Sequence, residues 1–139
     1  MAVGPVELIV VSFPSERADV GVVAAVEEVV ASGHVTVLDL VFLSKSLDGD
    51  LRVVDVSEGL DEHGLAVLQV QGQALISDDD LDLAKDGLDP GTSAVVIVYE
   101  NSWARRVSGA VANAGGELTL HVRIPGDVVE AALENASAD

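Results

Sequence analysis

The chain has 139 residues, no cysteine and a formal net charge of -17 at pH 7, because 24 acidic residues outweigh 7 basic ones. The absence of cysteine excludes disulfides, thiol nucleophiles and cysteine-bound zinc. The negative charge opposes contact with phosphate backbones, so we expect no binding to nucleic acid. No apolar run reaches the roughly 18 residues that a transmembrane segment requires. We therefore expect a single soluble, cytoplasmic domain over residues 1–139.

Apolar and charged residues are unevenly distributed along the chain. Apolar residues make up 49% of it and the mean hydropathy is +0.41, although the protein is strongly acidic. Half of the acidic residues fall between Asp48 and Asp89, where the only bases are Arg52 and Lys85. We expect the flanking segments to supply the core and the middle segment to carry much of the negative field.

The first predicted elements are a strand, a helix and a second strand. Residues 6–13 form an apolar, β-branched run that a proline closes, which is typical of a buried strand. Valines then recur at helical spacing, so we predict a helix capped by Ser15 and stopped at Gly33. Residues 34–45 are the second strand, and an Asp-Gly turn returns the chain into an added edge hairpin strand, Leu51 to Val56.

The middle of the chain is predicted to be an acidic helical insert over about residues 57–90. Ser77 followed by three aspartates predicts a capped helix that ends near Gly87. These aspartates lack the spacing of a calcium-binding loop, so a charged helix start is the favoured interpretation. Residues 65–76 fit either a short helix or a strand broken at a glycine.

The second half of the chain repeats the order of elements in the first half, which is strand, helix, strand. A strand over residues 94–100 precedes a helix over 102–114, a last strand is predicted over 117–123, and a C-terminal helix over about 125–136. Two pseudo-symmetric βαβ halves predict an α+β fold of the ferredoxin-like split βαβ type, with both crossover helices on one face. Trp103 falls on the apolar side of its helix, so we expect it in the core.

Both faces of the predicted sheet are apolar, because residues of both parities in the first, second and fourth strands are Val, Leu, Ile or Phe. The crossover helices can cover only one face. The insert, the C-terminal helix or a second subunit must cover the other. We therefore predict a non-catalytic domain that forms homo-oligomers through its sheet and needs neither a cofactor nor a metal ion.

Six residues are candidates for a ligand site. Glu100, Asn101 and Arg105 meet at a strand-to-helix junction, which is a common location for binding sites. Counting residues by twos places Asp39, Tyr99 and His121 on one side of the sheet, as long as the register holds. A small-ligand sensor that uses these side chains is the first alternative function.

Asp39 is the most unusual of these candidates, because it interrupts an apolar strand. A buried carboxylate needs a partner, and Arg52, Arg123 or His121 is the expected one. An enzyme similar to dimeric α+β barrels, with His121 and Asp39 as acid and base, is the second alternative function. No phosphate-binding loop, nucleophile elbow or zinc-protease helix is present, which lowers the expectation of an enzyme.

Several blocks of the sequence resemble the recurring blocks of a family of short acidic bacterial proteins known only as a domain of unknown function. They are GPVELIVVSFP, VLDLVFLSKSLDGD, LDPGTSAVVIVYENSWA, NAGGEL and RIP ahead of a helix. The resemblance covers nearly the whole chain and implies no assigned catalysis or cofactor. A more distant similarity is to membrane-associated or stress-related proteins with a glycine-rich apolar middle, and it implies a stress-related role.

Overall fold

The computed structural model describes residues 4–55, 68, 70–71, 74–117, 119–120 and 122–138. The strands of this part are β1 (Val6–Phe13), β2 (Val35–Lys45), β3 (Leu51–Val54) and β4 (Ser93–Asn101). The helices are α1 (Val20–Ala31), α2 (Asp78–Asp86), α3 (Ser102–Asn113) and α4 (Gly126–Ala138). The predicted order of elements is thus confirmed as far as β4 and α3. The hairpin strand β3 is confirmed to Val54, whereas Val56 and most of residues 57–73 lie outside the described residues.

The strands form one antiparallel sheet in the order β1-β4-β2-β3. Both β1 and β2 pair antiparallel with β4, so they run in the same direction and α1 connects them. The residues from Ser93 to Val98 of β4 are all buried. A strand enclosed by neighbours and covered on both faces needs an unbroken apolar run, which explains its sequence.

The fold is α+β, but the sheet is not the predicted ferredoxin-like arrangement. That arrangement requires a strand after α3, which residues 117–123 were expected to supply. The described residues of this segment belong to no strand, and they are exposed. An alternating pattern shows only that a segment suits a pleated, half-buried surface, and a strand forms only where a sheet edge pairs with it. In the described part of the chain the second βαβ half is therefore missing, and β1 ends the sheet.

A β-bulge at Leu38 changes which side chains of β2 share a face. The register passes from Val37 opposite Tyr99 to Asp39 opposite Val98, so Leu38 has no partner of its own. A bulge places two residues of one strand opposite a single residue of its partner. The side chains beyond it therefore lie on the faces opposite to those that simple alternation predicts. This reversal decides which apolar cluster each residue of β2 joins.

Each face of the sheet packs in its own apolar cluster. On the side that α1 covers, here called the α1 face, the buried residues are Phe13, Val37, Leu40, Phe42, Val54, Leu68, Val95 and Ile97. On the opposite side, called the α2 face, they are Val41, Leu43, Ala84, Leu88, Ala94 and Val96. The acidic insert therefore contributes the cover that the second apolar face requires. The C-terminal helix does not, because the side chains described for α4 are exposed.

The helix boundaries differ from the prediction at α1 and agree with it at α2. Asp19 caps α1, its carboxylate accepting a hydrogen bond from the Val22 N–H at 3.0 Å. Ser15, the predicted cap, instead donates to the Arg17 carbonyl at 3.1 Å and so belongs to the preceding turn. Ser77 and Asp80 form a reciprocal capping box at the start of α2, which confirms the predicted acidic helix.

The prediction that Trp103 is a core residue is wrong, because its side chain is 51% exposed. The helix α3, which is described throughout, buries only Ser102. A crossover helix lies across a sheet when the strands before and after it both belong to that sheet. No described strand follows α3, so nothing draws its apolar side onto the sheet.

Candidate functional site

The predicted site residues lie near the end of β4 but do not form one site. Tyr99 and Glu100 are consecutive residues of a strand, so their side chains point to opposite faces. Asp39 lies beyond the bulge and on the α2 face, whereas Tyr99 lies on the α1 face. The prediction that Asp39 and Tyr99 share a side is therefore wrong, and the bulge at Leu38 is the reason. His121 lies outside the described residues.

Backbone amides surround the carboxylate of Asp39. The residue is 6% exposed, and its oxygens accept hydrogen bonds from the N–H groups of Leu40 at 2.9 Å, Leu75 at 2.8 Å and Ile76 at 3.1 Å. The described partners are thus backbone donors rather than the predicted Arg52 or Arg123. These bonds satisfy a buried charge and attach the segment before α2 to β2.

Glu100 is the centre of a second buried polar cluster. It is 3% exposed, and it accepts hydrogen bonds from the Gly4 N–H at 2.9 Å and the Ser102 hydroxyl at 3.0 Å. The Ser102 hydroxyl also lies 2.7 Å from that of Thr36. A side chain at Gly4 would place its Cβ 2.7 Å from the Asn101 carbonyl oxygen, so the close approach requires glycine. The cluster joins β1, β2, β4 and α3.

Arg105 and Asn101 play different parts at this junction. The guanidinium of Arg105 lies 3.6 Å from the Glu100 carboxylate, so these two predicted site residues do meet. They meet as an ion pair that stabilises the start of α3. Asn101 occupies the cap position of α3 without a capping hydrogen bond from its side chain, and it turns towards the α1 side of the sheet.

Tyr99 is bound to an acidic side chain on the α1 face. Its hydroxyl donates a hydrogen bond to the Glu7 carboxylate, and Arg123 lies 3.8 Å from the other oxygen of that carboxylate. Burial, followed by the hydrogen bond to Glu7, raises the pKa of Tyr99 above its usual value of 10.0. The phenol is therefore a neutral donor to Glu7 throughout the physiological range.

Tyr99 also lines an apolar groove of about 600 Å³ between α1 and the sheet. Asn101, Ile97 and Ile9 line the sheet side of this groove, and Ala25 lines the helix side. None of the residues predicted from the sequence pointed to a groove at this place. Its signal was the pair Gly21 and Ala25, four residues apart, which leaves the side of α1 next to its sheet-packed valines with little side-chain volume.

A second surface runs along β1 on the α2 face. Val6, Leu8 and Val10 are 45%, 39% and 47% exposed. On the same face of the neighbouring strand, Val96 and Val98 are buried at 0% and 4% exposure. The cover that α2 provides therefore stops before β1. Among the described residues, no three acidic or histidine side chains gather as metal ligands, and no helix there is long and apolar enough to cross a bilayer.

Fold and surfaces together describe an acidic α+β protein from a family of unknown function. The chain belongs to the family of unknown function DUF6325, whose model matches residues 2–139. This confirms the resemblance to a domain of unknown function. No curated protein matches the chain, and no solved structure does either.

Proposed function

We propose that the protein is a non-catalytic interaction domain that associates with a second copy of itself along β1. The observation that supports this proposal is the coincidence, in one strand, of an exposed apolar face and an edge with which no other described strand pairs. A stress-related role is part of the proposal only through the resemblance to stress-related proteins.

The backbone of β1 offers alternate residues to a new strand. The Asn101 N–H donates to the Pro5 carbonyl at 2.8 Å, and the register places Pro5 opposite Asn101. Only alternate residues exchange hydrogen bonds with an antiparallel neighbour. The odd-numbered residues of β1 therefore bond to β4, and the even-numbered ones direct their N–H and C=O groups to the open edge. Such an edge readily pairs with another strand.

The side chains of the same even-numbered residues form the exposed apolar surface. They are Val6, Leu8, Val10 and Ser12, none of which is charged. One added strand would thus pair with the N–H and C=O groups at this edge and would also help to cover the two valines and the leucine. A second copy of β1 fits this role, because an antiparallel pair about a twofold axis is self-complementary.

Charge disfavours one register of such a pair and permits others. A pair centred on Ile9 sets Leu8 opposite Val10 of the second copy. It also sets Glu7 opposite Val11, which keeps the two Glu7 carboxylates apart. Centring the pair on Glu7 would place these like charges directly opposite each other, which destabilises a sheet.

The buried acids also support a non-catalytic role. Asp39 and Glu100 are engaged with backbone amides, a hydroxyl and an arginine that hold the fold together. The hydroxyl that donates to Glu100 belongs to Ser102, which is itself only 4% exposed, so a substrate cannot readily reach this pair. The geometry thus favours association over chemistry.

Sedimentation equilibrium of the wild type and Val10→Glu tests the proposal. We expect a wild-type dimer at micromolar concentrations and a dimer at least about tenfold weaker in the variant, because the new carboxylate would lie in the apolar contact. The control is Leu83→Glu, which makes the same charge change at a 75% exposed site on α2. A monomeric wild type, or equal weakening by both variants, would contradict the proposal.

A further inference from the structure

We propose that the groove between α1 and the sheet binds an uncharged apolar alcohol, with its apolar body under α1 and its hydroxyl group at Tyr99 and Asn101. This function is separate from self-association, because the groove lies on the α1 face and the exposed valines of β1 lie on the α2 face.

The groove lies beside the contact that α1 makes with the sheet through Val23, Val26 and Val30. Nine of the 12 residues of this helix are Val or Ala, and it is described throughout, yet none of its residues is fully buried. On the side of α1 beside this contact, Gly21 and Ala25 have too little side-chain volume to fill the space next to the sheet. The resulting volume of about 600 Å³ falls within the range of small-molecule sites, roughly 300 to 1,000 Å³.

The interior of the groove suits an apolar body. Most of the side chains that line it are aliphatic, and they come from both the helix and the sheet. Of the described lining residues none is basic, and the one acid is Asp19. That carboxylate is already committed to the N-terminus of α1, since it accepts the Val22 N–H. The groove therefore offers no cation for an anionic ligand.

The polar end of the groove suits a hydroxyl group. The Tyr99 hydroxyl donates its hydrogen bond to Glu7, so its oxygen can still accept one from a ligand. The Asn101 side chain, which makes no cap bond to α3, offers both an acceptor and a donor. Glu7 is balanced by Arg123, and Arg106 is bound to the Gly33 carbonyl at this end of α1. Tyr99 and Asn101 therefore offer hydrogen bonds without an uncompensated charge beside them, and this matches a neutral alcohol better than an ammonium or a carboxylate.

Calorimetric titration with 1-decanol tests this proposal, with decanoate and decylamine as probes of the same chain length. We expect decanol to bind and both charged probes to bind at least several-fold more weakly. Ala25→Phe fills the groove and should abolish binding. Ala24→Phe makes the same change on the same helix outside the lining and should leave it intact. Asn101→Ala should weaken decanol binding several-fold and leave the charged probes unchanged.

Each other outcome overturns part or all of the proposal. Equal or tighter binding of a charged probe refutes the ligand class, and equal effects of the two phenylalanine variants refute the location. No binding of decanol refutes the site. The titration is repeated on Val10→Glu, so a loss of self-association cannot imitate a loss of the groove. Groove methyl signals in NMR spectra that shift with protein concentration alone would assign the groove to a second copy instead.

Discussion

Asp39 and Glu100 show how this acidic chain uses carboxylates inside its core. Both are almost fully buried, and both accept hydrogen bonds from backbone N–H groups distant in sequence. The sequence marked Asp39 as anomalous because it interrupts an apolar strand. Its partners could not be predicted, since a backbone N–H has no signature in the sequence and residues 75–76 reach it only through the tertiary fold.

Replacing Asp39 with alanine is expected to lower the free energy of unfolding by about 2 kcal/mol or more, because it leaves the N–H groups of Leu75 and Ile76 without their acceptor. Urea unfolding followed by circular dichroism measures the loss. Asp86→Ala, which removes an exposed acid at the end of α2, is the control and should change stability by no more than about 0.5 kcal/mol. Similar values for the two variants would show that Asp39 has no structural role.

Tyr99 should titrate above its usual pKa of 10.0, because burial and Glu7 favour the neutral phenol. It is the only tyrosine, so the near-ultraviolet absorbance of tyrosinate reports it alone. The unfolded chain loses this proton at a lower pH than the folded one. The stability that Tyr99 contributes is thus complete below pH 10.0 and decreases as the pH rises through the folded pKa.

Tyr99→Phe should remove this part of the alkaline destabilisation, and an unchanged alkaline profile would contradict the assignment. Glu7→Gln should lower the pKa only in part, since burial remains.

At the scale of elements, local patterns predicted most of the chain and failed where pairing decides the outcome. The strands β1, β2 and β4 carry apolar, β-branched runs, the helices α1 and α3 carry apolar residues at helical spacing, and α2 carries a capping signal; all are present. Residues 117–123 carry an equally clear alternation, yet their described residues pair with no strand. The same limit affected the candidate site, because counting by twos cannot detect the extra residue at Leu38 that separates Asp39 from Tyr99.

The alternation of hydrogen bonds along β1 predicts opposite effects for proline at neighbouring positions. Val10→Pro removes an N–H that faces the open edge, so it should weaken association and change the free energy of unfolding by less than about 1 kcal/mol. Val11→Pro removes an N–H that bonds to β4 and should cost more than about 2 kcal/mol. Denaturant unfolding and sedimentation of both variants separate the two effects. Equal destabilisation would show that the assigned parity is wrong.

At the scale of the whole molecule, the net charge of -17 opposes every contact between two copies. The apolar edge of β1 must offset this repulsion for association to occur. Repulsion between surface charges is screened over about 8 Å at physiological ionic strength. Electrostatics therefore sets the conditions for association rather than its location.

Self-association is accordingly expected to tighten several-fold when sodium chloride rises from about 0.05 M to about 0.5 M. The dimer dissociation constant from sedimentation at each salt concentration measures this effect. The Val10→Glu variant should show a steeper dependence, because its contact brings two more carboxylates together. Association that weakens with salt would mean that ion pairs rather than apolar surface hold the copies together.

The bulge at Leu38 also determines where β2 tolerates a change in length. Deletion of a residue elsewhere in β2 would move every later side chain to the opposite face of the sheet. The residues that β2 contributes to the two apolar clusters would then change places. Loss of Leu38 alone would leave an even ladder in which Asp39 still follows Val37 on the opposite side. That position is therefore the one point at which this strand can be shortened while its interior and its carboxylate keep their places.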